Sequence, residues 1–204
     1  MLSILTVIHN RYQVRIDDDG RQRPLAPRFV RRLAESVRAC GIRAELIAVD
    51  AGSTDRPVAE WLALEARDLP TKTLSIPAKN WSRGAGINLA ARSAEGDMLA
   101  IFDCDMLIPP AVLLRGVETG ALGGAYAPYY HRYHKPEERQ WSWGIGTGNI
   151  ILSRAVFREI GGWPEMPGAG PDDTAFTHKV RAVVPVVREY AFGLFHLWHP
   201  KVKV

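Results

Sequence analysis

Two short apolar runs with a helical pattern between them constrain the fold more than any other feature of this sequence. The runs are LSILTVI at 2–8 and AELIAVD at 44–50, and both have the apolar, partly β-branched character of buried strands. The residues between them that recur at helical spacing are Phe29, Val30, Leu33, Ala34 and Val37. This order of strand, helix and strand predicts that the two strands pair in parallel.

The alternation continues along the first half of the chain. TKTLSIP and GDMLAIF predict a third and a fourth strand, while GAGINLAARSA and PPAVLLRGVETG predict helices. Such a pattern is typical of an α/β fold with a mainly parallel, Rossmann-like sheet and helices on both faces. The chain has 204 residues, enough for one sizeable core, and we expect a single domain over 1–204.

The second half is less regular. Residues 126–154 mix aromatics, histidines and glycines, which predicts an irregular lid followed by a strand. Residues 153–182 predict a short helix, a loop rich in glycine and proline, and a second helix, and VPVVREYAFGLFHLWHP predicts two short strands. The polar insert at 12–27 predicts a surface loop.

Composition narrows the classes of partner. A net charge of +4 and a pI near 9.2 suit anionic substrates, but the basic residues are dispersed, which disfavours nucleic acid. Two cysteines are too few for a disulfide framework, and no apolar run approaches the ~20 residues that cross a bilayer. The first residues lack a basic leader, so we expect a cytoplasmic protein, free or at the inner face of the membrane.

Three carboxylates follow predicted strands at the point where each strand ends. Asp50 follows ELIAV, and Asp103 and Asp105 follow MLAIF. Ligands of parallel sheets bind beyond the carboxyl ends of the strands, so these side chains predict one cleft that holds a metal ion. Aspartate is also common in turns that meet water, and the residues alone leave both interpretations open.

Five motifs in order carry a resemblance. They are LSILTVIHNR, VDAGSTD, NWSRGAGINLAARSAEGDMLAIFDCDM, GTGNIILSRAVFREIGGWPEMPGAGPDDTAF and HLWHP, which together span residues 2 to 200. In this order they resemble a family 2 glycosyltransferase of the GT-A fold, especially the branch of chondroitin-polymerase and galactosyltransferase catalytic domains. The resemblance implies a nucleotide-sugar-binding half at 1–106 and a smaller, irregular acceptor-binding and catalytic half at 107–204.

The resemblance assigns a metal site. It implies that Asp103 and Asp105 form the family's D-x-D pair between the donor's ribose and a divalent cation, with Asp105 the more direct ligand. A terminal histidine completes the ligands, with His196 favoured and His199 as the alternative. The expected cofactor is Mn²⁺, which accepts imidazole beside carboxylates, with Mg²⁺ as the alternative.

The resemblance also assigns donor contacts. Asp50 matches a residue that bonds the nucleotide base, although the family's DDGSTD reads DAGSTD here, with Ala51 in place of the second acid. Asp55 matches an acid near the nucleotide, and Arg83 with Gly84 matches residues against the diphosphate. The alternatives are that Asp55 begins the next helix and that Arg83 is an ordinary exposed arginine. UDP is the expected nucleotide.

On the acceptor side, GPDDTAF resembles the family's GGEDxEF loop. This implies that Asp173 is the general base and Asp172 an acidic neighbour that contacts the acceptor. Acids in a first helical turn are also common caps, which is the alternative for both. Trp143 and Trp163 are candidate platforms for an acceptor sugar, against the alternative that tryptophans anchor the core or a loop.

These residues together predict a metal-dependent, inverting glycosyltransferase that moves a hexosyl or N-acetylhexosaminyl group from a UDP-sugar to a glycan or small-molecule hydroxyl. Two other classes stay open. A sugar nucleotidyltransferase shares the sheet and acidic site but normally has a glycine-rich loop after the first strand, where this chain has HNRYQVR. A catalytically silent carbohydrate-binding or scaffold protein is the other alternative, and a homo-oligomer or partner subunit is compatible with each.

Overall fold

The computed structural model describes residues 1–18, 21–79, 82–133, 141–144, 146–166 and 172–199. Its first strands are β1 (Leu2–Ile8), β2 (Arg15–Asp18), β3 (Arg21–Pro24), β4 (Ala44–Asp50), β5 (Thr71–Ser75), β6 (Met98–Ile101) and β7 (Met106–Leu107). The later strands are β8 (Ala125–Tyr126), β9 (Tyr129–Tyr133), β10 (Trp141–Gly144), β11 (Ile150–Ser153), β12 (Val186–Val187) and β13 (Tyr190–His196). The helices are α1 (Leu25–Cys40), α2 (Leu62–Ala66), α3 (Arg83–Ser93), α4 (Pro110–Ala121), α5 (Arg154–Glu159) and α6 (Asp172–Arg181), and Val58–Glu60 forms a 3₁₀ turn.

The four strands predicted in the first half of the chain lie side by side as β6-β1-β4-β5 in a seven-stranded sheet of order β12-β8-β11-β6-β1-β4-β5. β1 pairs in parallel with β4 and with β6, and β4 pairs in parallel with β5. The register sets Ile8 opposite Asp50, so the strand ends that precede the acidic residues lie along one edge of the sheet. The prediction of a mainly parallel sheet is confirmed.

Helices cover both faces of this sheet because the buried side chains of β1 alternate. Leu2 and Ile4 pack in one apolar cluster with the buried face of α1, whereas Leu5 packs in a second cluster with Ile87 of α3. All five apolar residues that predicted α1 are buried. Helices on both faces of the sheet therefore follow from the alternation of side chains along β1 and from the helical spacing of the apolar residues in α1.

The sequence predicts an irregular lid followed by a strand over 126–154; the strand is confirmed as β11, but the lid is wrong for its described part. β9 and β10 pair as antiparallel strands, and they join β13 and β7 in a second sheet of order β10-β9-β13-β7. The neighbouring residues Tyr130 and His131 of β9 have different ring partners, His196 for Tyr130 and Trp143 for His131, as expected when side chains alternate along a strand. Residues 134–140 and 145 of that segment lie outside the described residues.

The insert at 12–27 also differs from its prediction as a loop. β2 and β3 pair as an antiparallel two-stranded sheet, and α1 begins directly after it at Leu25. Across the described residues, none of the helices is both long enough and apolar enough to cross a membrane.

The second sheet brings the end of the chain to the edge of the first. β13 pairs antiparallel with β7, which sets His196 opposite Met106, and the amide of Leu197 donates a 2.9 Å hydrogen bond to the carbonyl of Asp105. This pairing places the histidines near the chain's end beside the acidic segment that follows β6.

Candidate active site

Asp103 is held by Arg83, the first residue of α3. The guanidinium donates from Nε at 2.9 Å and lies 2.8 Å through Nη2 from the same oxygen, Oδ1. The Asp103 side chain keeps 35% of its surface exposed, so the pair is open to solvent at the edge of the sheet, in the space between β6, α3 and the segment 146–149 that is called the cleft. Arg83 is therefore neither an ordinary surface arginine nor remote from the predicted D-x-D pair.

The segment 146–149, Gly-Thr-Gly-Asn, bonds to four different parts of the cleft. The bonds run from Arg188 Nη2 to Gly146 O (3.4 Å), from Thr147 Oγ1 to Asp173 O (3.1 Å), from Arg83 Nη2 to Gly148 O (2.8 Å) and from Asp103 N to Asn149 Oδ1 (3.1 Å). A Cβ on Gly148 would lie 3.2 Å from Asp103 Oδ2, so a larger residue there would press on the Asp103 carboxylate. This segment links the predicted donor and acceptor sides.

Asp105 lies between the two candidate histidines. Its Oδ2 atom is 3.0 Å from His199 Nε2 and 3.5 Å from His196 Nε2. The other oxygen, Oδ1, is buried and has no hydrogen-bond partner among the described residues. Both histidines therefore reach the predicted metal ligand, and His199 is the nearer.

The two carboxylates have opposite pKa shifts. Partial burial of the Asp103 carboxylate raises its pKa, and although Arg83 opposes that shift, the charge of Asp105 adds to it. Burial also acts to raise the pKa of Asp105, but the hydrogen bond with His199 and the charge of His196 outweigh it and lower that pKa. Two carboxylates this close repel each other when both are ionised, and a cation would relieve the repulsion.

The side-chain oxygen and nitrogen atoms around Asp105 suit a divalent cation, but they are not arranged around a single position. Among the described residues, no three histidine, cysteine, aspartate or glutamate side chains form a ready metal-binding group. Asp105 is instead joined to His199 by a direct hydrogen bond. The unpartnered Oδ1 atom of Asp105 and two nearby imidazoles are nevertheless the oxygen and nitrogen donors that Mn²⁺ accepts.

Cys104, between the two aspartates, is not a candidate ligand or nucleophile. Burial and the charge of Asp105 raise its pKa to about 12, so the thiol stays protonated.

Asp172, the first residue of α6, faces inward. Its Oδ2 atom accepts a 2.8 Å hydrogen bond from the indole Nε1 of Trp163 and lies 3.8 Å from Arg83 Nη1. The carboxylate thus bonds a distant tryptophan rather than an amide of its own helix. Because Asp172 is only 8% exposed, its geometry favours a supporting role over direct contact with an acceptor.

Trp163 is enclosed rather than presented to a sugar. The indole is 1% exposed, with Phe176 stacked at 4.0 Å and the Arg83 guanidinium 4.6 Å from its ring centroid. The ring already packs between Phe176 and Arg83, and its N–H already donates to Asp172. The ring therefore supports Arg83 and Asp172, which agrees with the anchor alternative.

Asp173 faces the cleft. Its backbone carbonyl accepts hydrogen bonds from Thr147 and Thr177, and Oδ1 accepts from the amide of Thr174. Oδ2 is directed towards Gly146, 3.8 Å from where a Cβ on that glycine would lie. The backbone is thus fixed while one carboxylate oxygen faces the space beside the glycine segment.

Asp50 and Asp55 both bond to backbone amides of the loops around the cleft. The Asp50 oxygens accept from Ser53 N at 2.7 Å and Val58 N at 3.0 Å. Asp55 Oδ2 accepts from the amides of Tyr12 and Gln13 at 2.8 and 2.9 Å. These contacts order the loops after β1 and β4, whatever further contact either acid makes with a donor.

Gly84 and Trp143 lie away from the open cleft. A Cβ on Gly84 would lie 2.1 Å from the carbonyl of Pro164, so this glycine permits α3 to pack closely on the loop before α6. Trp143 is paired with His131 on the second sheet, on the face opposite Tyr130 and His196. The structure does not bring Trp143 together with the carboxylates.

Sequence reasoning missed Arg11 and Asn149. The positive charge of Arg11 contributes to the lowered pKa of Asp105, and at Cys104 it opposes the larger effects that raise the pKa. Its position just after β1, at the same edge of the sheet as Asp50, was a signal that could have found it. Nothing in the sequence pattern pointed to the Asn149 bond, because it depends on the antiparallel pairing of β11 with β6.

A family comparison decides the assignment of the chain. The profile described as glycosyl transferase family 2 matches residues 3–176, which is most of the chain. The chain belongs to glycosyl transferase family 2. Membership favours glycosyl transfer over the nucleotidyltransferase alternative.

A curated relative is named undecaprenyl-phosphate 4-deoxy-4-formamido-L-arabinose transferase, from Pseudomonas paraeruginosa. It is 31% identical over 97 residues, which are 48% of this chain and 29% of that protein. The chain therefore spans less than a third of the length of this relative.

Solved glycosyltransferases share the fold. Residues 1–349 of S. aureus TarS superpose with a TM-score of 0.72 at 15% identity, over 96% of this chain and 60% of that one. The same TarS segment has been solved with UDP-GlcNAc. A mannosyltransferase from Pyrobaculum calidifontis, in complex with GDP-Man and Mn²⁺, gives a TM-score of 0.65 at 16% identity, over 96% of this chain and 56% of that one. These likenesses confirm the GT-A architecture.

Proposed function

We propose that this chain transfers a sugar, with inversion, from a nucleotide-diphosphate sugar to an acceptor hydroxyl. The observation that carries the proposal is that the segment 146–149 bonds Arg83, Asp103 and the backbone of Asp173, while Asp105, two residues after Asp103, lies against His199 and His196. The groups come from both proposed halves, 1–106 and 107–204, so the halves act together rather than as separate units.

Asp105, with His199 or His196, would hold a divalent cation, for which we propose Mn²⁺ with Mg²⁺ as the alternative. Asp103 would complete the acidic face of that site. The cation would supply positive charge to the diphosphate as it leaves the sugar.

Arg83 orients the donor in this proposal. Its guanidinium is held in place by Asp103 and Gly148, and in this proposal its remaining N–H groups would donate to the diphosphate, whose charge would join that of Asp103 as a partner of Arg83. We assign the nucleoside to the cavity of about 420 Å³ that is lined by Asn10, Gln13, Val14, Thr54 and Asp55. UDP is the nucleotide we propose, and the TarS complex with UDP-GlcNAc supports a nucleotide-sugar donor in this fold.

Asp173 is the proposed general base. Its Oδ2 atom would take the proton of the acceptor hydroxyl as that oxygen attacks the anomeric carbon, while the bond from that carbon to the diphosphate oxygen breaks. Attack opposite the leaving group inverts the configuration. The sugar is proposed to be a hexose or N-acetylhexosamine, and the acceptor a glycan or a small molecule.

The deciding experiment is a screen of UDP- and GDP-sugars for release of free nucleotide, with and without Mn²⁺, in the presence of a panel of glycan and small-molecule acceptors. Release that requires Mn²⁺ and is lost in both Asp105→Ala and Asp173→Asn would support the proposal. Release that does not depend on added metal would contradict the cation's role. No release by the folded protein with any pair would favour the silent binding protein.

A further inference from the structure

Asn88, on α3, makes three hydrogen bonds with the loop that precedes α6. Its Oδ1 atom accepts from Trp163 N at 2.8 Å, and its Nδ2 atom donates to Trp163 O at 2.9 Å and to Glu165 Oε1 at 2.8 Å. A side-chain amide that bonds both the N–H and the C=O of one residue fixes the position of that residue's backbone. The backbone of Trp163 is thus held against α3 by the Asn88 side chain.

Two glycines permit this contact. Gly162 has a φ of +76°, and a Cβ there would lie 2.7 Å from Asn88 Oδ1. A Cβ on Gly84, one turn before Asn88, would lie 2.1 Å from the carbonyl of Pro164. The close approach of α3 to residues 162–164 is therefore built into the backbone on both sides.

Trp163 itself contacts two side chains of the candidate site. The Trp163 ring lies under the Arg83 guanidinium, and its Nε1 atom donates to Asp172. Arg83 in turn holds Asp103. A shift of the Trp163 backbone would therefore displace the ring on which Arg83 packs and the indole N–H that donates to Asp172.

We infer that Asn88 is a positioning residue, which sets the place of Trp163 and, through it, of Arg83 and Asp172. Asn88 reaches these groups only through Trp163 in its described contacts and is not a catalytic residue. The importance of Arg83 and Asp172 for substrates rests on the proposed function, but the positioning itself is independent of which substrate binds.

Asn88→Asp tests the positioning without an activity assay. The variant keeps the side-chain shape but replaces the Nδ2 donor by an oxygen that faces the Trp163 carbonyl and the Glu165 carboxylate. In ¹H–¹⁵N spectra we expect the signals of Trp163 Nε1–H and Arg83 Nε–H to shift and to exchange with solvent roughly tenfold faster. These signals are assigned by their loss in Trp163→Phe and Arg83→Lys.

A matched control and a rescue sharpen this test. Arg92→Ala changes an exposed residue one turn further along α3 and should leave both signals in place. Adding Glu165→Gln to Asn88→Asp returns an amide donor to the pair and should restore part of the shift. A folded Asn88→Asp protein with both signals unchanged would overturn the inference.

A double-mutant cycle then connects the position to binding, measured as the affinity for UDP in the presence of Mn²⁺. Asn88→Ala alone should lower the affinity roughly tenfold, but should add little to the loss already caused by Trp163→Phe. Fully additive losses would show that Asn88 acts by another route and would overturn the inference. If the wild-type protein does not bind UDP, the proposed donor is wrong, and the two NMR signals alone decide the role of Asn88.

Discussion

The Nε2 atom of His199 lies 3.0 Å from Oδ2 of Asp105, although the two residues are 94 positions apart in the chain. The contact exists because β13 pairs with β7, which brings the end of the chain beside the acidic segment after β6. An imidazole and a carboxylate held so close share either a proton or a metal ion. The first prediction separates these two cases.

Asp105→Ala should abolish the effect of Mn²⁺ on nucleotide binding. The variant removes both the unpartnered Oδ1 atom and the hydrogen bond of Oδ2 with His199, so nucleotide binding is compared only where the variant is folded. Calorimetric titration of UDP with and without Mn²⁺ measures the effect, and the melting temperature reports the fold. An unchanged affinity for UDP and Mn²⁺ would exclude Asp105 as a ligand.

The two histidines can be ranked by the same titration. His199→Ala should weaken Mn²⁺-dependent binding more than His196→Ala, because His199 lies 3.0 Å from Asp105 and His196 lies 3.5 Å away. The resemblance alone favoured His196. The opposite ranking would return the metal contact to His196, and two unaffected variants would contradict a histidine ligand.

Arg83→Lys should weaken donor binding although it keeps the positive charge. Lysine has no planar fork, so it cannot bond Asp103 and the Gly148 carbonyl together as Arg83 does. Loss of hydrogen bonds to charged groups predicts a fall in UDP affinity of roughly 10- to 100-fold. Binding equal to that of the wild type would show that the fork of Arg83 does not contribute to donor binding.

The stereochemistry of the product tests the single displacement. With an α-linked nucleotide sugar as donor, attack by an acceptor oxygen activated by Asp173 gives a β-linked product. The coupling constant of the anomeric proton in the NMR spectrum distinguishes the two linkages. A retained α linkage would exclude the single displacement.

The sequence was sufficient for the elements that local periodicity controls. Strands β1 and β4 follow from their continuous apolar, partly β-branched runs, and the helix between them follows from a spacing of three to four residues. The rule for parallel sheets then placed Asp50, Asp103 and Asp105 at one edge. These inferences need no knowledge of contacts between distant residues.

The second sheet was not predictable in this way. The pairing of β9 with β13 joins residues about sixty positions apart, and its register depends on packing rather than on composition. For the same reason the sequence could not show that Trp163 lies beneath Arg83. It also could not show that the Asp50 carboxylate bonds to the amides of Ser53 and Val58, because this depends on how the loop turns.

Glu45 provides a prediction about stability, far from the cleft. Burial raises the pKa of Glu45, but hydrogen bonds from Ser3, from the amide of Glu95 and from Lys72 outweigh it, so the pKa lies below its ordinary 4.5. Because the pKa of Glu45 is lower in the folded state, its ionised form stabilises the fold at pH values above the pKa of the unfolded chain. This contribution is lost as the pH falls through the pKa of the folded protein.

Glu45→Gln should therefore lower the free energy of unfolding by about 1–2 kcal/mol at neutral pH. The difference from the wild type should shrink as the pH falls below 4.5, the ordinary pKa of this carboxyl. Urea denaturation across that range measures it, with UDP affinity at neutral pH as the control for the cleft. A difference that does not change with pH would show that the charge of Glu45 contributes nothing.

Asp173→Asn tests the proposed base most directly. Asparagine keeps the size of the side chain and an oxygen to accept from Thr174 N, but it cannot take a proton, so kcat should fall roughly 10²- to 10⁴-fold with donor affinity nearly unchanged. Asp172→Asn is the matched comparison on the neighbouring residue. Because the Asp172 carboxylate bonds the Trp163 indole, this variant should act by disturbing that contact, with a lowered melting temperature and a smaller loss of kcat. If both acids only stabilise the start of α6, asparagine should replace each at little cost, and near-normal turnover in Asp173→Asn would exclude it as the base.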